Sequence, residues 1–107
     1  MNKIKVIEPD SFAKTRAKYM NNQQFRLFAD YLTMHPKMGT IVKGTGGCRK
    51  IRWRYQHCGK TGGIRIIYHL NRHSVIHLMF IYVKNRQKEL TMKQRQECKA
   101  MVRELCS

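Results

Sequence analysis

The sequence predicts a small α+β domain in which an antiparallel sheet of about four strands is packed by two N-terminal helices and a C-terminal helix. Three observations support this fold class: a helical apolar pattern early in the chain, strand-like runs in the middle and a second helical pattern at the end. The expected order of elements is β-α-α-β-β-β-α. At 107 residues, 42% of them hydrophobic, the chain can bury one modest core, so residues 1–107 are expected to form a single domain.

The first part of the chain predicts one strand and two helices. "KIKVIE" (3–8) alternates as a short strand does, and Pro9-Asp10-Ser11 then offers the start of a short helix, with Asp10 or Ser11 as its cap. The next helix has apolar residues at i, i+3, i+4 and i+7: Phe25, Phe28, Ala29 and Leu32. Aromatic residues in this set could form a base-stacking platform, but their helical spacing favours a place in the core. Pro36 ends the helix, because the residue before a proline avoids the helical conformation.

The rest of the chain predicts three strands and a closing helix. "KIRWRY" (50–55) and "GIRIIYHL" (63–70) alternate between polar and apolar side chains. "SVIHLMFIYVK" (74–84) is apolar on both faces for most of its length, as expected of an interior strand. Thr91 and Gln94 fit a capping box at the start of the last helix.

The alternation predicts a row of cations on one face of the sheet. Lys50, Arg52 and Arg54 fall on one face of their strand, opposite Trp53 and its apolar neighbours. Arg65 lies on the less apolar face of the next strand. We therefore expect these four cations to share a solvent-accessible sheet face.

The charge of the chain indicates a polyanionic partner. Twenty-two Lys and Arg residues against six Asp and Glu residues give a formal net charge of +16. Positions 31–88 contain no acidic residue, and their twelve cations are Lys37, Lys43, Arg49, Lys50, Arg52, Arg54, Lys60, Arg65, Arg72, Lys84, Arg86 and Lys88. An ordinary solvated basic surface interleaves acids to offset repulsion, so this distribution favours nucleic acid as the partner.

Membrane, nucleotide-pocket and metal sites fit the sequence less well. No apolar run approaches the ~20 residues of a membrane span, and the N-terminus lacks the apolar core of a signal peptide, so a cytoplasmic protein without a membrane partner is expected. "GKT" (59–61) resembles the end of a P-loop, but Arg54 stands where that motif needs its first glycine. Cys48 and Cys58 lack the close spacing of structural zinc ligands, and the cysteines are expected to be reduced. We therefore expect neither a cofactor nor a metal.

Three segments carry a resemblance that extends over nearly the whole chain: "HPKMGTIVKGTGGCRKIRW", "CGKTGGIRIIYHL" and "IYVKNRQKELT". Together they resemble the RelE/HigB superfamily of bacterial toxins, and the HigB-like branch most closely. The resemblance implies a RelE-like fold and a cognate antitoxin protein that neutralises the toxin in a type II toxin-antitoxin system. It also implies an mRNA endoribonuclease that acts in the ribosomal A site and inhibits translation.

The same resemblance implies which residues act on the RNA. Lys50 and Arg52 match the basic pair on the first central strand, Arg65 matches the arginine that holds the scissile phosphate, and Lys84 matches the basic position after the last strand. Other cations of the chain are expected to bind RNA without taking part in the chemistry: Arg49, Arg54, Lys60, Arg72 and Arg86.

A cationic site suits RNA cleavage without metal. Metal-assisted nucleases need carboxylates to hold their ions, whereas metal-free cleavage uses the 2′-hydroxyl of the substrate as nucleophile and needs the protein to position and stabilise the phosphate. In that reaction Lys50 would be either a base or a phosphate clamp. RelE has a catalytic arginine and a late tyrosine where this chain has Asn85 and Thr91.

The departure at those two positions leaves the general acid open among Tyr82, His69 and His57. An alternative function is a basic module that binds RNA or the ribosome and performs no chemistry. Substitution of Arg65 separates the two, since it would abolish cleavage in the first case and only weaken affinity in the second.

Overall fold

The computed structural model describes residues 4–54, 63–84 and 86–105. The described part contains three helices and five strands, which confirms the expected α+β class. The strands are β1 (Lys5–Ile7), β2 (Thr40–Ile41), β3 (Arg49–Trp53), β4 (Ile64–Leu70) and β5 (Val75–Val83), and the helices are α1 (Asp10–Arg16), α2 (Asn22–Met34) and α3 (Met92–Leu105).

The five strands form one mixed sheet in the order β1-β5-β4-β3-β2. β5 lies inside the sheet, as its apolar sequence predicts. Two details differ from the expected four antiparallel strands. β1 pairs parallel to β5, and the two-residue strand β2 adds an edge beside β3. The alternation of a sequence assigns side chains to faces but does not show whether two strands pair parallel or antiparallel. A strand of two residues, such as β2, is too short to produce a visible alternation.

The larger core lies between the sheet and the helices α1 and α2. Phe28 and Leu32 are fully buried there, which confirms the core position predicted from their helical spacing. Trp53 packs edge-on against Phe28, with ring centroids 5.1 Å apart, and lies 5.3 Å from the ring of Tyr31. These contacts hold the end of β3 against α2.

A second, smaller core lies on the opposite face of the sheet, under α3. Ile67, Tyr82 and Cys98 are among its buried members. Thr91 and Gln94 form the expected capping box, because Thr91 Oγ1 accepts from the Gln94 N–H at 3.1 Å and Gln94 Oε1 accepts from the Thr91 N–H at 3.0 Å. The sheet is therefore covered on both faces, and the residues that reach solvent lie at its ends and in its edge strands.

Tyr68 fastens the connection between α2 and β2 to the sheet. Its hydroxyl donates to the carbonyl of Pro36 at 2.7 Å and accepts from the N–H of Gly39 at 3.1 Å. Burial raises the pKa of this phenol, while its bond to Gly39 and the charge of Arg49 act in the opposite direction. None of the helices in the described ranges is long and apolar enough to cross a membrane.

Candidate nucleic-acid interface

Two arginines stand directly opposite each other at one end of the sheet. Arg52 of β3 is the register partner of Arg65 of β4. Opposed residues of an antiparallel pair project from the same face, and Lys50, two residues before Arg52, projects from it as well. This arrangement confirms the expectation that Lys50 and Arg52 lie on the face of Arg65.

The three cations of this face differ in exposure. Arg52 is exposed and Lys50 is half-buried, but Arg65 is only 8% exposed. The expectation of a solvent-accessible position is therefore wrong for Arg65. β4 is the central strand of the five, so its side chains are flanked by neighbours on both sides, whereas β3 has only the short strand β2 beyond it. An anion approaching this face would meet Arg52 before Arg65.

Arg54 leaves the row that strict alternation predicts. β3 ends at Trp53, and Arg54 is exposed and lines a cleft beside α2. The register between β3 and β4 ends at the pair Trp53 and Ile64. Gly63 has a φ of +81°, and a Cβ atom there would collide with the carbonyl oxygen of Trp53. The backbone thus turns away from strand geometry at the position where Arg54 would continue the row.

The other sequence-predicted cations divide between the two ends of the sheet. Lys84 and Arg86 are exposed just after β5, at the end occupied by Arg65, because Val83 pairs with Ile64. Arg72 is exposed in the turn between β4 and β5, at the opposite end. Lys60 lies outside the described residues. Lys84 and Arg86 are therefore the flanking cations on the same end as the arginine pair.

Arg49 points to the opposite face of the sheet. It is the register partner of Tyr68, and its Nη1 donates to the carbonyls of Gly39 at 2.7 Å and Lys37 at 3.2 Å. These bonds, together with those of Tyr68, hold the connection between α2 and β2. The placement favours a structural role for Arg49 over the RNA contact expected from its charge.

Tyr82 is the candidate for proton transfer that lies beside the arginine pair. It is the register partner of Arg65 and is 6% exposed, and its hydroxyl has no hydrogen-bond partner within the described ranges. Burial raises the pKa of Tyr82, and the nearby charges of Arg65 and Arg95 partly offset that effect. The phenol is thus protonated at neutral pH, but its oxygen is covered.

The histidine candidates lie elsewhere. His69 is on the Arg65 face, four residues further along β4, and its register partner is His77 of β5. Burial lowers the pKa of both imidazoles, and the neighbouring His77 lowers that of His69 further. Both have a buried Nδ1 without a partner among the described residues. His57 is outside that part of the chain.

His69 was predicted as a candidate general acid, and the register between β4 and β5 shows that His77 lies beside it. In the described ranges, no three His, Cys, Asp or Glu side chains are grouped closely enough to hold a metal ion.

Sequence reasoning missed Arg95, which α3 brings to this side of the sheet. Its Nη1 donates to the carbonyl of Lys43 at 2.7 Å, and its Nη2 lies 3.7 Å from a carboxylate oxygen of the exposed Glu89. The charges of both residues act on the pKa of Tyr82, which Glu89 raises and Arg95 lowers. The signal available in the sequence was the position of Arg95 in the first turn of the predicted last helix, but its contact requires α3 to be docked.

No protein-family model matches the sequence. The fold is similar to a solved structure of the E. coli toxin RelE, determined in the free state on a mutant with two arginines replaced by alanine. The two structures superpose with a TM-score of 0.57 at 13% sequence identity, over 80% of this chain and 88% of that one. At this identity the likeness shows a RelE-like fold and nothing finer.

Proposed function

We propose that this protein is the toxin of a type II toxin-antitoxin system, of the HigB-like branch, and that it cleaves mRNA in the ribosomal A site. The RelE-like fold supports the class of protein. The observation that carries the proposed chemistry is the cross-strand pair Arg52 and Arg65, on one face with Lys50.

The pair suits a phosphodiester in the act of cleavage. Guanidinium groups present donors in a planar fork that matches phosphate oxygens, and they keep their charge at every physiological pH. Two of them on neighbouring strands can hold the negative charge that grows on the phosphate when the 2′-hydroxyl attacks. Lys50 lies beside them as base or phosphate clamp, Lys84 is the fourth residue proposed to act in the cleavage, and Arg86 binds the flanking backbone.

The reaction is expected to need no metal. Its nucleophile belongs to the RNA, and the proposed site stabilises charge with cations of the chain itself. Cleavage by the purified protein on programmed ribosomes should therefore survive EDTA, provided that a parallel assay shows the ribosomes still intact. Loss of cleavage with intact ribosomes would contradict this mechanism.

Single substitutions separate the nuclease from a binding module without chemistry. Arg52→Ala removes an exposed side chain and should lower the cleavage rate by about 10²–10³-fold, the usual cost of removing one preorganised donor to developing charge. Arg103→Ala is the matched control, because Arg103 is an exposed arginine on the last turn of α3. Arg65→Ala should also abolish cleavage, with circular dichroism to verify its fold.

Cleavage is read by primer extension on ribosome-bound mRNA. A wild-type protein that binds ribosomes without cutting would establish the binding module instead. Equal effects of Arg52→Ala and Arg103→Ala would show that only total charge matters, and would refute the assignment of the arginine pair.

The proposed antitoxin should contribute an acidic segment, because carboxylates pair with Arg and Lys as phosphates do. It can cover Arg52 and Arg65, or bind the N-terminal helices and make the toxin too bulky for the A site. We favour the helices, since Leu27 and Met34 of α2 are 62% and 76% exposed beside the exposed Arg26. A titration of the Arg52→Ala/Arg65→Ala double variant against the antitoxin decides: a loss of more than ~3 kcal/mol would favour direct occupation of the arginine face.

A further inference from the structure

A cleft at the end of β3 is not used by the proposed cleavage chemistry. It has a volume of about 390 Å³, and we call it the α2 cleft. The described residues that line it are Met20, Asn21, Gln23, Gln24, Leu27, Trp53 and Arg54. They comprise one aromatic ring, one cation, amide side chains and apolar groups, and no carboxylate. This combination is typical of sites that bind single-stranded RNA, in which unstacked bases lie on aromatic rings or arginine planes.

The aromatic ring of the cleft is held in place. Trp53 is half-buried, with an edge contact to Phe28 and a tilted ring contact to Tyr31. Those contacts fix the indole, and Trp53 lines the cleft, so a base that stacks on it need not order the ring first. Arg54 follows directly and is exposed, which places a cation within reach of the phosphate of the same nucleotide.

The amide groups of the cleft are oriented by the capping box of α2. Asn21 Oδ1 accepts from the N–H of Gln24 at 2.7 Å, and Gln24 Oε1 accepts from the N–H of Asn21 at 2.9 Å. Because both amide oxygens are turned to the backbone, the NH₂ group of each side chain is the end left to face a ligand. Acceptor atoms on the edge of a base are suitable partners for these donors.

The α2 cleft also lies beside the arginine pair along the chain. Arg52, Trp53 and Arg54 are consecutive, and two residues of extended chain span about 7 Å. Arg52 projects toward the α3 face, whereas Trp53 and Arg54 line the cleft on the α2 side. When an RNA phosphate lies at Arg52, a neighbouring nucleotide would therefore be within reach of the cleft.

We propose that the α2 cleft binds one unstacked nucleotide of the mRNA next to the cleavage position. The base stacks on Trp53, its edge accepts from Asn21 and Gln24, and Arg54 contacts the phosphate. This inference rests on the proposed function for the identity of the substrate. It adds a site for base recognition on the face of the sheet opposite Arg65.

Trp53 is the single tryptophan of the chain, so its fluorescence reports directly on the cleft. The probe is a six-nucleotide oligoadenylate with 2′-O-methyl groups throughout, which cannot be cleaved through its 2′ position. Stacking of a base should quench the emission in a saturable titration. Arg54→Ala should weaken the binding measured in this way by at least about fivefold, because it removes the cation that contacts the phosphate of the bound nucleotide.

Two matched controls separate the cleft from overall charge. Arg103→Ala removes the same charge from the last turn of α3, and Gln96→Glu, at an exposed position on α3, introduces the same charge as Gln23→Glu in the cleft. Gln23→Glu should weaken binding because it brings a carboxylate next to RNA phosphate, while both α3 variants should bind within about twofold of wild type. Urea unfolding of each variant verifies that it is folded.

The outcomes distinguish this inference from the proposed function. Arg65→Ala should lose cleavage and keep the quenching, which supports a base site separate from the chemistry. Absence of quenching in the wild type, or equal effects of Arg54→Ala and Arg103→Ala, would overturn the base site even if mRNA is cleaved. Saturable quenching that is lost in Arg54→Ala, from a protein that never cleaves mRNA on ribosomes, would support the cleft as an RNA site and refute the nuclease.

Discussion

The same substitution, tyrosine to phenylalanine, at two buried positions tests the hydrogen bonds that the structure assigns to their hydroxyl groups. Tyr68 and Tyr82 lie on opposite faces of the sheet, and each has a buried side chain. Replacing either by phenylalanine removes one hydroxyl oxygen and leaves the ring in place. The two hydroxyls differ in their partners, so the two substitutions should differ in their effect on the free energy of unfolding.

Tyr68→Phe should destabilise the protein. The hydroxyl of Tyr68 donates to Pro36 and accepts from the buried Gly39, at 2.7 and 3.1 Å. Removing it leaves a buried N–H without a partner, which costs about 1–3 kcal/mol. For a domain of about this size, each kcal/mol corresponds to a fall of roughly 4–8 °C in the unfolding midpoint.

Tyr82→Phe should leave stability unchanged or raise it by up to about 1 kcal/mol. The hydroxyl of Tyr82 is buried with no partner among the described residues, so it loses its hydration on folding without a hydrogen bond in return. Phenylalanine removes this cost of desolvation and keeps the packing of the ring in the smaller core under α3. The proposed cleavage should also be retained, because the covered oxygen would not reach a bound RNA.

Urea unfolding followed by circular dichroism measures both variants against the wild type. The expected result is a lower midpoint for Tyr68→Phe and an equal or higher midpoint for Tyr82→Phe, with the same slope. Equal losses of stability in the two variants would refute the hydrogen-bond assignment. A large loss of cleavage in Tyr82→Phe, with stability intact, would instead identify Tyr82 as the general acid.

Three further substitutions test the backbone, the histidine pair and the ion pair at α1. Gly63→Ala should cost at least about 1–3 kcal/mol, because alanine is strained at a φ of +81° and its methyl group meets a carbonyl oxygen; an unfolding midpoint equal to wild type would contradict this. The pKa values of His69 and His77 are lowered in the folded protein. The free energy of unfolding should therefore keep its full value above pH 6.5, the ordinary pKa of an imidazole, and fall as the pH drops from there toward the folded-state pKa values. His77→Gln should make the free energy of unfolding, measured in urea titrations between pH 7.5 and 5, depend less steeply on pH. An unchanged dependence on pH would exclude the histidine pair as its source. Glu8→Ala should lower the free energy of unfolding by about 1.5–3 kcal/mol, because it removes the carboxylate that lies 2.9 Å from the buried Arg16. A loss below about 0.5 kcal/mol in thermal unfolding would show that the ion pair is dispensable.

Local patterns in the sequence were enough to determine the elements and their faces. The helical spacing of Phe28 and Leu32 predicted their place in the core, and the alternation along β3 and β4 predicted that Arg52 and Arg65 share a face. The capping box at Thr91 was predicted correctly as well. The helix face and the capping box depend on residues within one or two turns of each other, and the face of each strand residue depends on the alternation of its own strand, so local geometry fixes them wherever the element is finally placed.

Only the tertiary structure decided which segments meet. It placed β1 parallel to β5, set Arg52 directly opposite Arg65, buried Arg65 in the central strand and turned Arg54 out of the cation row into the α2 cleft. It also brought Arg95 of α3 into contact with the backbone of Lys43. Each of these features depends either on contacts between residues distant in the sequence or on the position at which the pairing of two strands ends. Periodicity assigns a side chain to a face, whereas partner, register and exposure depend on how the whole chain packs.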